Sequence, residues 1–324
     1  MSAETIQRYP GVSIAVILPC FNEEQAIQKT VSDFKEEIPT AAIYVFDNNS
    51  SDRTAEVARA AGATVVHVPL RGKGNVVRRM FADIEADVYL MADGDSTYDA
   101  KSALSLIDKL LKERLDMVVG CRIDHGEDEN YRLGHRFGNR MLTNTVQRIF
   151  GGHFTDMLSG YRAFSRRYVK SFPALATGFE IETELTIHAL ELRMPYGEVS
   201  TLYGARPVGS QSKLSTYRDG IRILRTIVRL YMIERPLQFF SIVAFILACS
   251  SVILTYPVFT EYLKTGLVPR LPTAVLSVGL MLSGQLALVC GFILDTVTRG
   301  RHEFRRLAYL SIPGQRIHDE MARK

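Results

Sequence analysis

Over the first 120 residues, short apolar runs alternate with segments in which hydrophobic positions recur every three or four residues. "VSIAVILP" (Val12–Pro19) is a continuous apolar run and predicts a strand buried on both faces. "NEEQAIQKTVSDFKEEI" predicts a helix, with Asn22 as its N-cap and Glu23 and Glu24 suited to the positive end of its dipole. "AAIYVFD" predicts a second strand, and "SSDRTAEVARAAG" a second helix, capped by Ser51 or Asp52 and stopped at Gly62. "TVVHVPL", "GNVVRRMFADI" and "DVYLMAD" extend the series as strand, helix, strand. Repeated β-α units of this length predict an α/β domain with a mostly parallel, doubly wound, Rossmann-like sheet. Ligands of such sheets gather at the carboxyl ends of the strands, where Asp47, Asp93 and the "PCFN" turn all fall. From about Asp156 the pattern is mixed, with a helix at Phe179–Arg193 and a strand-like "YGEVSTLYGARP".

The C-terminal part reads differently. Leu237–Thr260 and Leu271–Leu294 are blocks without a single charge, each long enough to cross a hydrocarbon core of roughly 30 Å as a helix. Joined by "EYLKTGLVPR", they predict a membrane hairpin. Arg222, Arg225, Arg229 and Arg235 precede it, and Arg299, Arg301, Arg305 and Arg306 follow it. The linker offers only Lys264 and Arg270, offset by Glu261. The positive-inside bias then places the N-terminal domain and both termini in the cytoplasm, and "MSAETIQRYPGV" has no basic-plus-apolar export signal. Between Tyr217 and Met232, Arg218, Arg222, Arg225 and Arg229 share one helix face while Ile221, Leu224, Val228 and Tyr231 line another. That predicts an interfacial amphipathic helix. The expected plan is an α/β domain over 1–213, a juxtamembrane helix over 214–236, two spans within 237–298 (about 237–260 and 271–297) and a basic tail over 299–324.

Composition sharpens this plan. The chain has 324 residues, 47% of them hydrophobic, and the two uncharged blocks account for much of that excess. Its four cysteines, Cys20, Cys121, Cys249 and Cys290, have no C-x-x-C spacing, which argues against a disulfide framework or a zinc site. The net charge is only +4, but Arg206–Arg235 holds seven Lys/Arg against two Asp/Glu. An anionic partner at a membrane surface fits that placement, and no basic–aromatic module for nucleic acid is present. Homo-oligomerisation is left open.

Three features carry chemistry. "DGD" places Asp93 and Asp95 where a buried strand ends, and two like charges there repel unless a cation sits between them. A D-x-D of this kind suits Mg²⁺ or Mn²⁺, which take carboxylate and phosphate oxygens as ligands. In "FDNNSSDRT", Asp47 can accept hydrogen bonds from a ribose or a base edge, and on spacing alone it equally fits a turn cap. In "RGKGN", Gly72 and Gly74 predict close approach of backbone to a ligand, with Lys73 supplying charge for phosphate. The loop is neither a full G-x-G-x-x-G nor a Walker A sequence. Together, "LPCFNEE", "DNNSSDRT", "GKGN", "DGD", "GCR", "DMLSGYRAF", "GFEIETEL" and "ARPVGSQSKL" stand in the order of the family-two inverting glycosyltransferases. Residues 12–213 resemble most the polyprenyl-phosphate sugar synthases of the dolichol-phosphate mannosyltransferase type.

The resemblance implies a GT-A fold, a nucleotide-sugar donor, a divalent metal and an undecaprenyl or dolichyl phosphate acceptor held at the membrane lipid. Carried over by position, it implies that Pro19, Phe21, Asn22, Glu23 and Asp47 line the nucleoside pocket, with Lys73 nearby. Asp93 and Asp95 would bind metal and diphosphate. Thr97, where relatives often carry glutamine, would help hold the metal, less directly. Asp156, Ser159 and Arg162 would flank the reacting centre, with Glu180 and Glu184 near the sugar. Arg206, Ser212 and Lys213 would close over the diphosphate, and Arg122, Arg132 and Arg136, with Ser159 and Arg162, would meet the acceptor phosphate. His135 stands where relatives often carry serine. Other readings stay open: Glu180 and Glu184 as solvated carboxylates, Arg132, Arg136 and Arg140 as a solvated helix face, Asp156 as a helix cap. His153 and His188 read as structural. A lipid phosphate is already an anion, so transfer to it can dispense with a strong base; Asp95, Asp156, Arg122 and Lys213 are the expected catalytic set. Processive polysaccharide synthases usually carry Q-x-x-R-W, and this chain has no tryptophan. A soluble acceptor, or a non-catalytic nucleotide-sugar-binding scaffold, are the remaining alternatives.

Overall fold

A computed structural model describes residues 8–123, 133–178, 180–204, 225, 228–229 and 231–314. The described strands are β1 (Ile14–Cys20), β2 (Ala42–Asp47), β3 (Thr64–His67), β4 (Val88–Met91), β5 (Met117–Ile123), β6 (Arg162–Ser165) and β7 (Tyr196–Leu202). They form one sheet in the order β3-β2-β1-β4-β6-β5-β7. All neighbours run parallel except β6, which is antiparallel to both β4 and β5. The helices are α1 (Ile27–Glu37), α2 (Thr54–Ala60), α3 (Lys73–Asp83), α4 (Ser102–Lys112), α5 (Leu133–Phe150), α6 (Arg166–Ser171), α7 (Ile181–Glu191), α8 (Pro236–Thr265) and α9 (Leu271–Ser311).

The continuous apolar run of β1 has the cause its sequence implies. Ile14, Val16 and Leu18 enter one core with Phe34 and Leu106, while Ala15 and Ile17 enter a second with Phe81 and Tyr89. A strand covered on both faces has no polar side to show. In β1 and β2 the register brings Cys20 opposite Asp47, so the turns after β1 and β2 lie side by side at one end of the sheet. β4 stops at Met91, which puts Asp93 and Asp95 in the turn beyond it. Asn22 does not cap α1, as the sequence predicts; α1 begins at Ile27. Asn22 instead takes φ 54°, and its Oδ1 accepts the backbone N–H of Ser51 at 2.8 Å. Gly62 ends α2 as expected, at φ 93°.

Contacts divide the chain into one unit comprising Met1–Gly220 with Arg305–Lys324, and a second, Ile221–Phe304. The sequence plan sets the tail apart from 299 onward; instead, residues from Arg305 group with the catalytic unit. Tyr309 donates to Asp116 Oδ2 at 2.8 Å, Arg167 lies 4.8 Å over the Tyr309 ring, and Arg305 donates to Glu191 at 2.6 Å. The second unit holds α8 and α9 as far as Phe304, and each of these helices is long and apolar enough to cross a membrane. They meet through small residues: Ser251 Oγ donates to the Ser277 carbonyl at 2.7 Å, and a Cβ on Gly291 would stand 3.0 Å from Phe240 Cβ. Phe245, Ile253 and Leu286 are exposed. The predicted interfacial helix at 217–232 falls largely outside the described residues.

Candidate active site

The site is built at the carboxyl ends of β1, β2 and β4. The turn after β1 and the turn after β2 are laced together: Asn22 N–H donates to Ser50 Oγ at 2.9 Å, Glu23 N–H to Thr54 Oγ1 at 2.8 Å, and Arg53 N–H to Glu24 Oε2 at 3.0 Å. Pro19, Phe21, Asn22 and Glu23 therefore form one rim, and the Arg71 guanidinium stands 5.1 Å from the centre of the Phe21 ring. Asp47 is buried at the end of β2, with Oδ1 accepting Ser50 N–H at 3.3 Å and Oδ2 facing His67 Nδ1 at 3.2 Å. Asn48, which the sequence did not single out, ties this end to the next loop. Its Nδ2 donates to the Leu70 carbonyl at 2.7 Å, and its Oδ1 accepts Gly72 N–H at 2.7 Å.

The "RGKGN" loop departs from its sequence reading. The close backbone approach that Gly72 and Gly74 permit is made by the protein itself: a Cβ on Gly72 would overlap the Thr177 carbonyl oxygen, and one on Gly74 that of Ala176. Gly72 also holds φ 122°, which only glycine adopts without strain. The segment 174–178 is thus pressed onto the start of α3. Glu184 holds it there by accepting Leu175 N–H at 2.9 Å and Ala176 N–H at 2.7 Å. Glu184 is spent on backbone, and half-buried Glu180, beside Gly178, precedes α7.

Lys73, at the first turn of α3, reaches inward. Its Nζ stands 2.5 Å from Asp93 Oδ1 and 2.6 Å from Glu182 Oε1. Burial works against its charge, but the two carboxylates prevail and hold its pKa well above the usual lysine value. Glu182, only 5% exposed, is the acidic residue of "GFEIETEL" that enters the site, and sequence reasoning passed over it. The structure shows why it matters: Glu182, Leu185, Thr186 and Ala189 are buried together on α7, where a carboxylate is out of place unless paired. Gly160 of "DMLSGYR" covers the pair so closely that a Cβ there would stand 2.8 Å from Asp93 Oδ2 and 3.1 Å from Lys73 Nζ.

Asp95 is 4% exposed. Its Oδ1 accepts the Thr97 hydroxyl at 2.6 Å and Thr97 N–H at 3.2 Å, so Thr97 orients the carboxylate. Gly94 lets the turn touch β1, since a Cβ would overlap Cys20 Sγ; burial pushes the Cys20 thiol pKa well up. Two carboxylates in one turn, one balanced by lysine and the other fixed by a hydroxyl, offer hard oxygen donors that fit Mg²⁺ or Mn²⁺.

Beyond them, Arg122 at the end of β5 grips Asp156 in a two-pronged ion pair, with Nε at 2.6 Å and Nη2 at 2.8 Å, and lies 5.5 Å over the Tyr203 ring. Two expected acceptor ligands have other employment. Arg162 is fully buried and donates to the carbonyls of Ser159 (2.9 Å) and Met157 (2.5 Å) and to Thr186 Oγ1 (3.0 Å). Desolvation lowers its pKa, yet its donors are taken. Ser159, also buried, donates to the Gly120 carbonyl at 2.6 Å. Both pin the "DMLSG" turn between β5 and β6, and the assignment of either to a phosphate is corrected accordingly. Arg132, Arg206, Ser212 and Lys213 lie outside the described residues; Arg136 falls on α5, with its side chain outside them.

Sequence comparison accords with this geometry. The profile described as Glycosyl transferase family 2 matches residues 15–172. Glycosyltransferase AglJ of Haloferax volcanii is 32% identical over 92% of this chain and 98% of its own length. A dolichyl-phosphate hexose transferase of the same organism is 29% identical over 70% of this chain and 97% of its own. Among solved structures, glucosyl-3-phosphoglycerate synthase of Mycobacterium tuberculosis, in complex with Mn²⁺ and UDP-glucose, superposes with a TM-score of 0.55. It is 25% identical and covers 68% of this chain and 78% of that one.

Proposed function

The chain belongs to the family-two glycosyltransferases, and from that premise we propose that it is a membrane-bound inverting hexosyltransferase acting on polyprenyl phosphate. The donor is a UDP- or GDP-linked sugar, and the product a polyprenyl-phosphate-linked monosaccharide. One observation carries the reading: the lysine-balanced Asp93 and the hydroxyl-fixed Asp95 beyond β4 belong to a chain that continues into two membrane-length helices. The name of the Haloferax hexose transferase supports a lipid-phosphate acceptor. The bound ligands of the mycobacterial structure support a nucleotide sugar with a divalent ion.

In this reading Pro19, Phe21, Asn22, Glu23 and Asp47 hold the nucleoside. Asp93 and Asp95 hold the divalent ion, which when bound supplies positive charge at the departing nucleoside diphosphate. Lys73 adds a fixed positive charge beside it, and Arg206, Ser212 and Lys213 close from the far side. The acceptor phosphate attacks the anomeric carbon as an anion, so no residue needs to remove a proton from it. Arg122 exchanges one prong of its Asp156 pair for a phosphate oxygen, with Arg132 and Arg136 completing the cradle. The arginines flanking the two apolar blocks support a cytoplasmic catalytic unit with both termini on the same side.

The test is a donor panel of UDP- and GDP-sugars against undecaprenyl phosphate, dolichyl phosphate and, because the mycobacterial neighbour was also solved with phosphoglyceric acid, phosphoglycerate. Chelator-sensitive transfer to a prenyl phosphate is expected. Transfer to phosphoglycerate alone, or transfer untouched by exhaustive chelation, would overturn the acceptor or the metal assignment respectively.

A further inference from the structure

We propose that Glu182 is a positioning residue: it anchors Lys73, so that the lysine keeps its place when Asp93 is drawn away by the incoming ion and donor diphosphate. The inference rests on the nucleotide-sugar reading above. Lys73 is shared between carboxylates from two different elements, Asp93 in the turn after β4 and Glu182 on the first turn of α7. One acidic partner is enough to neutralise a lysine. A second, itself nearly buried, costs desolvation that only a further purpose offsets. That purpose follows from what happens at Asp93. A divalent ion is the largest local charge in such a site and competes with Lys73 for the same carboxylate.

Once Asp93 turns to the ion, a lysine held by it alone would be left enclosed without a counter-charge and would swing outward. Glu182 is set apart from the D-x-D turn and fixed on a helix whose residues Ile181, Leu185 and Ala189 are core. It therefore does not follow Asp93. Lys73 can trade Asp93 Oδ1 for a phosphate oxygen while its other contact, at 2.6 Å, persists. Gly160 leaves no room for a side chain above the pair, so Lys73 Nζ is confined on that side during the exchange. Among the described residues, Arg162 cannot stand in for Lys73, because it is turned to backbone carbonyls.

The experiment is a double-mutant cycle on the full chain in detergent, reading the affinity of UDP and of GDP with Mn²⁺ by calorimetry, and of Mn²⁺ alone. Glu182→Gln is expected to weaken the better-bound nucleotide about tenfold and Lys73→Met at least as much, with the double variant no worse than Lys73→Met alone. Mn²⁺ alone should bind Glu182→Gln within about twofold of wild type, since Glu182 touches the ion only through Lys73. Losses that simply add, or unchanged nucleotide affinity with a lowered melting temperature, would overturn the positioning role. Glu182→Asp, which keeps the charge but shortens the reach, replaces Glu182→Gln in the cycle if the latter does not fold; non-additivity with Lys73→Met is again required. A wild type that binds neither nucleotide would overturn the donor reading itself, a result distinct from an additive cycle in a protein that binds one.

Discussion

The two ends of the central sheet each carry acidic side chains in or beside the core, and the contrast between them separates chemistry from scaffolding. At the amino end, Asp116 precedes β5 with a single carboxylate that accepts Ser165 Oγ at 2.7 Å, Arg167 Nε at 2.5 Å and Nη2 at 2.9 Å, and the Tyr309 hydroxyl at 2.8 Å. Four donors fill the capacity of two carboxylate oxygens. The neighbours respond in kind: burial and then Asp116 raise the Tyr309 pKa. At the carboxyl end, among the described residues, one lysine serves both Asp93 and Glu182, and Asp95 stands in the same turn as Asp93. A saturated carboxylate has nothing left to bind. Carboxylates that share one lysine keep oxygen lone pairs that an ion can use.

The sharpest way to break the comparison is to remove an acid from each end. Asp95→Ala should lower transfer by at least about a thousandfold, through loss of charge stabilisation at the diphosphate. Its melting temperature should stay within a few degrees of wild type, because removing one like charge relieves repulsion. Turnover and thermal unfolding on one preparation measure both, and near-normal turnover would sink the metal assignment. Asp116→Ala should do the opposite, destabilising the protein by roughly 3 kcal/mol, because Arg167 and Tyr309 lose a buried partner. Activity per folded molecule should hold. Denaturant titration of the chain in mild detergent reads that loss, and an undiminished midpoint would remove Asp116 from the scaffold.

Between these extremes lies His188, a buried base packed against the rings of Tyr168 and Phe172. Burial, helped by Arg305, pushes its pKa down to about 3. A base whose folded pKa lies below its unfolded value binds its proton only on unfolding, so stability falls as pH drops below about 6.5 and goes on falling to about 3. Between pH 7 and pH 5 the loss should be about 2 kcal/mol, and His188→Gln should flatten that limb of the stability profile. An unchanged pH slope in the variant would show that His188 is not the group responsible. The smallest expected effect is that of Tyr309→Phe, which deletes one of the four donors to Asp116 and should cost about 1 kcal/mol. Its failure to register in a denaturant titration would mean that the return of the chain at Arg305–Ser311 is held by Arg305 and Arg167 alone.

Much of the fold was legible because strands, helices and spans are decided by local periodicity. The run at Val12–Pro19, the D-x-D beyond the fourth strand and the two uncharged blocks all appear where the hydrophobic pattern puts them. Which acid of "GFEIETEL" enters the site was not legible in the same way. Glu182 and Glu184 stand on a helix buried nearly all round, with Glu180 just before it, so no exposed stripe tells inside from outside. Gly72 and Gly74 misled for a related reason. Glycine announces a close approach without saying what approaches, and here it is residues 176 and 177 of the same chain.

The amino-acid order by itself determined the α/β architecture, the place of the paired aspartates and the membrane-length hairpin, since backbone hydrogen bonding and burial act over a few residues at a time. Only the tertiary structure decided that Arg162 is a strut, that Lys73 has two masters, and that Tyr309 returns to Asp116 across 193 positions. Those outcomes depend on which distant charges share one low-dielectric space, and a charge's effect there is set by its neighbours in space.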